Sequence, residues 1–155
     1  MKTISLSRGL VALVDDSDYE RVNAFKWYAD RPPCARSFYA VKNDSCRGGA
    51  LRSRTRMHNF ILGLKYVDHK DGDGLNNQRH NLRPATRSQN AANTSRNRRN
   101  SSGYKGVVRT GRGKWMARIT KNKQIKYLGS FETPQEAADC YYAAAVEIFG
   151  EFARR

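Results

Sequence analysis

Residues 66–90 of the chain, YVDHKDGDGLNNQRHNLRPATRSQN, hold most of its reactive side chains and decide the fold of its middle part. The segment predicts a strand that ends at Asp68 and His69, a loop rich in Gly, Asp and Asn, and a second strand near residues 81–84. A short helix that carries Asn90 follows. Such a strand–strand–helix unit would place Asp68 and Asn90 side by side.

The side chains of this unit suit acid–base chemistry assisted by a metal ion. Oxygen donors at Asp68 and Asn90 favour Mg²⁺, with Mn²⁺ as a substitute, over zinc, which prefers nitrogen and sulfur ligands. The imidazole of His69 can take a proton from water near neutral pH. Asp71 and Asp73 suggest a calcium loop, but no glutamate follows at the required distance, so we expect them to shape the turn.

All three histidines of the chain fall within residues 58–80. His69 follows an aspartate directly, which favours a role as a base. For His58 two interpretations remain: a core or hydrogen-bonded histidine of the preceding helix, which we prefer, or a role at the active site. We expect His80 at the surface or on a phosphate.

The charge of the chain is strongly positive and unevenly placed. Its 155 residues include 29 Lys and Arg against 14 Asp and Glu, for a formal net charge of +15. Residues 74–131 are 58 consecutive positions with fourteen basic side chains and no acidic one. Binding to a polyanion explains why the basic side chains are separated from the acidic ones, since each basic side chain that neutralises a phosphate releases counterions. The run is no amphipathic basic helix, so double-stranded DNA is preferred to a membrane.

The cellular compartment is predicted from the absence of membrane-spanning and signal-peptide patterns in the sequence and from its cysteines. No apolar stretch approaches the length of a membrane span, and the first residues do not resemble a signal peptide. Cys34, Cys46 and Cys140 are far apart and odd in number, which fits a reducing compartment. We therefore expect a cytoplasmic protein of a bacterial host cell, without contact to a membrane.

The fold class predicted for the whole chain is α+β. Residues 1–55 are expected to form a small mixed α/β scaffold, with a strand pair at its start and a short helix that begins after Asp15 and is closed by Pro32 and Pro33. Residues 56–93 form the reactive core described above.

Two further segments complete the chain. Residues 94–102 have no hydrophobic side chain and predict a basic linker, whose Arg96, Arg98 and Arg99 would lie along a phosphate backbone. Residues 103–155 alternate as three strands before a helix with a capping box of Thr133 and Glu136. This last segment predicts a three-stranded antiparallel sheet packed on one helix.

The pattern of Asp68-His69, Asn81-Leu82 and Asn90 resembles the HNH nuclease motif, in the variant found in homing endonucleases of introns and phages. The resemblance spans about residues 56–90 and implies a ββα-metal fold. It implies His69 as the general base, Asn81 as the catalytic residue that braces the base-carrying loop, and a divalent metal held by Asp68 and Asn90. The third position of the motif is Asn rather than His, which is similar to the intron-type members and favours a hard metal.

The last segment resembles the Apetala-two/ethylene-response-factor DNA-binding domain. The resemblance rests on residues 104–109 (YKGVVR), 114–118 (KWMAR), 127–131 (YLGSF) and 136–141 (EAADCY). It implies that the sheet enters the major groove of DNA. The implied base readers are Arg109, Trp115, Arg118 and Lys126, and the implied phosphate contacts are Lys105, Arg112 and Lys114. The alternation of residues leaves two orientations open for Trp115, toward DNA or toward the helix.

Together these features predict a site-specific, metal-dependent DNA endonuclease of the homing type. It would hydrolyse a phosphodiester bond to a 5′-phosphate and a 3′-hydroxyl, with no small organic cofactor. One active site per chain predicts one nick by a monomer, or two nicks by a weak dimer. The alternative is a sequence-specific DNA-binding regulator whose HNH-like segment is silent. A silent segment need not keep all four motif residues, and this chain keeps them.

Overall fold

The computed structural model of the protein describes residues 1–33, 35–44, 53–95 and 100–154. These residues form two compact units, Met1–Pro84 and Ala85–Arg155. The architecture is mixed α+β, with several small antiparallel sheets and four α-helices among the described residues. In that same part of the chain, no helix has the length and apolar character needed to cross a membrane.

The first unit opens with a hairpin. Strand β1 (Lys2–Ser5) pairs with β2 (Val11–Val14), and Arg8 and Gly9 in the intervening turn both have a left-handed φ, of 66° and 67°. Helix α1 (Asp16–Asn23) follows, with acidic side chains in its first turn where the helix dipole favours them. The hairpin and the start of the helix agree with the sequence prediction.

A three-stranded sheet follows, and the sequence did not predict two of its strands. Its order is β3 (Tyr28–Asp30), β4 (Tyr39–Asn43) and β5 (Arg54–Arg56). The prediction that the prolines close the helix was wrong, since the helix ends at Asn23 and β3 precedes them. The buried indole of Trp27 donates to the carbonyl of Val22 at 2.8 Å and so binds the end of the helix.

Helix α2 (Met57–Leu62) continues directly from β5 and ends at Gly63, whose φ is 67°. After it, β6 (Val67–His69) and β7 (Leu82–Pro84) pair antiparallel, with Asp68 opposite Arg83. Both strands were predicted. One hydrophobic core joins these elements to the hairpin and to α1; its largest fully buried apolar side chains are Met57, Val14 and Val22.

The second unit begins with α3 (Arg87–Asn93). A capping box formed by Thr86 and Gln89 stabilises the first turn of this helix. Its sheet has the order β10 (Gln124–Phe131), β9 (Trp115–Lys121), β8 (Val107–Arg109), and α4 (Pro134–Phe149) packs on it. The sheet and the predicted cap of α4 are present.

The sequence pattern predicts a strand over residues 104–109, but β8 covers only its last three residues. Gly106, with a φ of 72°, lies where a Cβ atom would stand 2.1 Å from the ring of Tyr141 on α4. The backbone therefore approaches the helix too closely for any other residue, and the regular strand begins only at Val107.

The two faces of this sheet differ, and they settle the orientation of Trp115. Side chains alternate along a strand, and cross-strand partners share a face. Ala117 and Ile119 of β9 are buried in the core of the unit, and Trp115, on the same face, is half-buried against that core. Arg118 and Tyr127 are paired on the other face and are exposed.

Candidate active site

His69 lies at the end of β6 and is 5% exposed. Its Nε2 is 3.4 Å from the side-chain oxygen of Asn77, and its ring meets the rings of His58 and Tyr39 at centroid distances of 4.6 and 6.0 Å. An amide oxygen only accepts hydrogen bonds, so this contact assigns the proton to Nε2 and leaves the lone pair on Nδ1. That form of the ring can accept a proton from water.

The surroundings keep both histidines neutral. Burial lowers the pKa of His69, although the hydrogen bond that the ring donates to Asn77 and the charges of nearby aspartates oppose that shift. Burial is also the main cause that lowers the pKa of His58 to about 2. At neutral pH His69 is therefore unprotonated, which is the state that a general base requires.

Asp68 precedes His69 and is 4% exposed. The guanidinium of Arg83, opposite it in the β-ladder, donates to one of its carboxylate oxygens from Nε at 3.0 Å and from a terminal nitrogen at 2.9 Å. This ion pair compensates the buried negative charge, which would otherwise be costly. The sequence did not identify Arg83 as part of the site, because its pairing depends on the register of β6 and β7.

Asn81 makes the contacts of a loop brace. Its amide nitrogen donates to the Asp71 carboxylate at 3.0 Å and to the Asn76 carbonyl at 2.8 Å, and its oxygen accepts from the backbone of Asp71 at 3.1 Å. Asp73 accepts from the backbone of Leu75 in the same loop. Both aspartates thus serve the turn, as the sequence suggested, and their hydrogen bonds tie together the loop after His69.

The N-terminal region anchors the second half of this loop. Arg79 binds the buried Asp18 of α1 through two hydrogen bonds of 2.6 and 2.8 Å, and its backbone nitrogen donates to Asp15 at 2.7 Å. The hydrogen bond from Arg79 is the main cause that lowers the pKa of Asp18. Leu13 exchanges backbone hydrogen bonds with Leu75 and Asn77. These contacts are long-range, and the local sequence gave no signal for them.

Asn90, the second predicted metal ligand, lies on α3 in the second unit. The described residues contain no cluster of three or more His, Cys, Asp or Glu side chains suited to a metal. As metal ligands, Asp68 would offer a carboxylate oxygen and Asn90 an amide oxygen. This donor set fits Mg²⁺ or Mn²⁺, which keep several water ligands and need few from the protein. It does not fit zinc.

Lys105 was expected on a phosphate, but it lies at the C-terminal end of α3. Its ammonium donates to the carbonyls of Ala91, Ala92 and Thr94, at 3.3 Å for the first and 2.7 Å for the last. Burial lowers the pKa of Lys105 to about 8. The ammonium thus bonds carbonyls that the helix leaves unpaired.

The register of the sheet divides the other predicted base readers. Arg109 pairs with Trp115, and Lys126 pairs with Ile119, so both lie on the face that packs against α4, at exposed positions near its border. The guanidinium of Arg109 is 5.8 Å from the Trp115 ring. Of the four strand residues that were predicted to contact bases, Arg118 alone lies on the open face of the sheet. The register therefore does not favour base contacts by the other three.

The remaining predicted DNA contacts are at the periphery or outside the described residues. Arg112 is exposed in the turn between β8 and β9, and Lys114 forms an exposed ion pair of 2.6 Å with Glu132. The predicted linker contacts Arg96, Arg98 and Arg99 lie outside the described residues. The sequence missed the open-face residues beside Arg118, among them Tyr127 and Ile125, which are 57% and 63% exposed.

Comparison with known proteins agrees with this geometry. A family model described as HNH endonuclease matches residues 64–92, which include both strands of the β6–β7 sheet and most of α3. An uncharacterized HNH endonuclease of Acanthamoeba polyphaga mimivirus is 33% identical over 155 residues, covering 94% of this chain and 74% of its own length. No solved structure gives a significant match. A chain with this motif, this buried histidine and this relative belongs to the HNH endonuclease family, and it is an enzyme that hydrolyses DNA.

Proposed function

We propose that this protein is a site-specific, metal-dependent endonuclease of the homing type that nicks one strand of double-stranded DNA per active site. The observation that carries the proposal is the neutral, buried His69 beside Asp68, in a loop braced by Asn81. The viral source of the relative is compatible with a gene of a phage or an intron, which would act in the cytoplasm of its host.

The chemistry assigned to these residues is hydrolysis of one P–O bond. Nδ1 of His69 takes a proton from a water molecule as the water oxygen bonds to phosphorus. The bond from phosphorus to the 3′ oxygen breaks, so that the products are a 5′-phosphate and a 3′-hydroxyl, and the 3′ oxygen takes its proton from solvent. Asn77 and Asn81 hold the ring and the loop in place and undergo no chemical change.

A divalent metal is part of the proposal, with Asp68 and Asn90 as its protein ligands. Mg²⁺ or Mn²⁺ would neutralise the charge that develops on the phosphate. The match of the family model to residues 64–92 supports this pair, because it includes both residues. No small organic cofactor enters the reaction.

We propose that the second unit recognises the DNA, through the open face of its sheet. Arg118 and Tyr127 stand opposite each other on this face, next to the exposed Ile125. An arginine can form paired hydrogen bonds to guanine, and apolar side chains can contact the methyl group of thymine. This keeps the function expected from the resemblance to the Apetala-two/ethylene-response-factor domain but moves it away from Trp115. A monomer or a weak dimer would suffice.

The test is cleavage of supercoiled plasmid and phage DNA with Mg²⁺, with Mn²⁺ and with EDTA. Wild type should convert supercoiled DNA to open circles only with metal, and His69→Ala should lose cleavage but keep DNA binding in a gel-shift assay. Full activity of His69→Ala would refute the assignment of the base. Tight binding to a selected site without cleavage by wild type would instead favour a DNA-binding regulator.

A further inference from the structure

Arg56 places a cation beside the histidine pair. It is the last residue of β5 and is exposed, and its guanidinium carbon lies 4.9 Å from the centroid of the Tyr39 ring. The same ring is 5.9 Å from His58 and 6.0 Å from His69. Tyr39 therefore contacts the guanidinium and both imidazoles, so Arg56 lies at the border of the candidate active site.

The charge of Arg56 has no ion-pair partner among the described residues. Arg54 lies two residues earlier on the same strand. One of its terminal nitrogens is 3.9 Å from a carboxylate oxygen of Asp30. The basic residue that reaches the site through Asp68, Arg83, is paired with that carboxylate. Arg56 is thus a positive charge beside the histidine pair that an external anion can bind.

A DNA strand needs such a charge at this site. Asp68, Asp71 and Asp73 are all close enough to raise the pKa of His69 by their charges. Arg83 compensates the first of them, and the hydrogen bonds that Asn76 donates to Asp71 and the backbone of Leu75 donates to Asp73 bring no positive charge. A phosphodiester that approaches His69 is therefore repelled by carboxylates, and a nearby cation offsets that repulsion.

The position of the Arg56 guanidinium over the Tyr39 ring also suits phosphate binding. The face of an aromatic ring attracts a guanidinium without using its N–H groups, which stay available to other partners. Paired N–H groups of arginine match two oxygens of a phosphate. The contact with Tyr39 reduces the freedom of the long side chain before any DNA binds.

We propose that Arg56 is a substrate-binding residue that contacts a phosphate of the DNA strand held at His69. This inference rests on the proposed nuclease function and gives the N-terminal unit a part in binding DNA. DNA binding is then shared between the open sheet face of the second unit, which would contact bases, and an arginine of the first unit, which would contact the backbone.

The test compares Arg56→Gln with Arg54→Gln in the full-length protein. Binding to a 30-base-pair duplex is measured by fluorescence anisotropy in EDTA between 50 and 300 mM salt. Loss of one phosphate contact should reduce the slope of log K against log salt by about 0.9 for Arg56→Gln only. Plasmid nicking with Mn²⁺ should show a fall in kcat/KM on the order of 10-fold for the same variant, with partial recovery in Arg56→Lys.

The outcomes separate this inference from the proposed function. Equal salt slopes and equal nicking by the two variants overturn the role of Arg56, whatever the activity of wild type. If wild type shows no metal-dependent nicking, or if His69→Ala nicks as wild type does, the nuclease assignment fails, and the salt slopes still decide whether Arg56 binds DNA. Circular dichroism at the assay temperature checks that both variants are folded; if Arg56→Gln is not, Arg56→Lys and Arg56→Met are compared in its place.

Discussion

The imidazole rings of His58 and His69 meet edge to face, with their centroids 4.6 Å apart and their planes at 85°. His58 is 3% exposed, and its Nδ1 has no hydrogen-bond partner among the residues that the structure describes. Two protonated rings at this separation would repel each other, and neither could be solvated by water. The pair is therefore stable only while both rings are neutral, which links the stability of the protein to pH.

Acidification should destabilise the protein through His58. Its pKa is 6.5 in the unfolded chain and about 2 in the fold, so between these values the unfolded state binds a proton that the folded state does not. The stability that depends on the neutral ring is complete above pH 6.5 and is lost as the pH falls below it. The expected slope from this residue is at most about 1.4 kcal/mol per pH unit.

Urea unfolding at pH 7.5, 6.0 and 5.0 measures this effect. His58→Phe keeps a ring in the core and cannot take up a proton, so its free energy of unfolding should fall less than that of wild type. Burial lowers the pKa of His69 as well, so some acid sensitivity should remain in the variant. Parallel pH dependence in the two proteins would contradict the assignment to His58.

Breaking the ion pair of Arg83 should be costly. Both side chains of the pair are nearly buried, at 9% exposed for Arg83 and 5% for Asp68. Arg83→Met leaves a buried carboxylate without its partner, and the free energy of unfolding should fall by about 3–5 kcal/mol. Combining it with Asp68→Leu removes both charges and should restore part of that loss. If urea unfolding shows that Arg83→Met lowers the free energy of unfolding by less than about 1 kcal/mol, the ion pair is not desolvated.

Lys105 should contribute to stability rather than to phosphate binding. Lys105→Met removes the ammonium from the last carbonyls of α3, and the free energy of unfolding should fall by about 1–3 kcal/mol. The matched control Lys126→Met removes an exposed charge and should change stability by less than about 0.5 kcal/mol. The salt dependence of DNA binding distinguishes the two roles. A reduced salt slope without loss of stability would restore Lys105 as a phosphate contact.

The two faces of the C-terminal sheet should respond differently to substitution. Arg118→Ala, on the open face, should weaken DNA binding on the order of 10-fold, with stability unchanged. Trp115→Ala opens a gap beside the core of the unit and should lower the free energy of unfolding by about 2 kcal/mol. Gel shifts and urea unfolding of both variants check this. Loss of DNA affinity in a fully stable Trp115→Ala would place the reading surface on the helix side.

Local sequence signals determined a large part of this protein. Turn residues between alternating strands predicted the β1–β2 hairpin and the sheet of residues 107–131, and the capping box at Thr133 and Glu136 predicted the start of α4. The order of β6, β7 and α3, with Asp68-His69, Asn81 and Asn90 in it, predicted the nuclease family. Each of these features lies within one continuous segment of the chain, so the sequence displays it directly.

Only the tertiary structure decided which side chains meet across long distances. The pairing of Asp68 with Arg83 follows from strand register, and the contact of His69 with His58 and Tyr39 joins three elements of the first unit. The orientation of Trp115 follows from the helix that covers one face of its sheet. Strands β3 and β5 also escaped prediction, because they are three residues long and owe their conformation to β4 between them. Packing and pairing of this kind depend on the whole fold, whereas the motif that names the family lies within one continuous segment, residues 68–90.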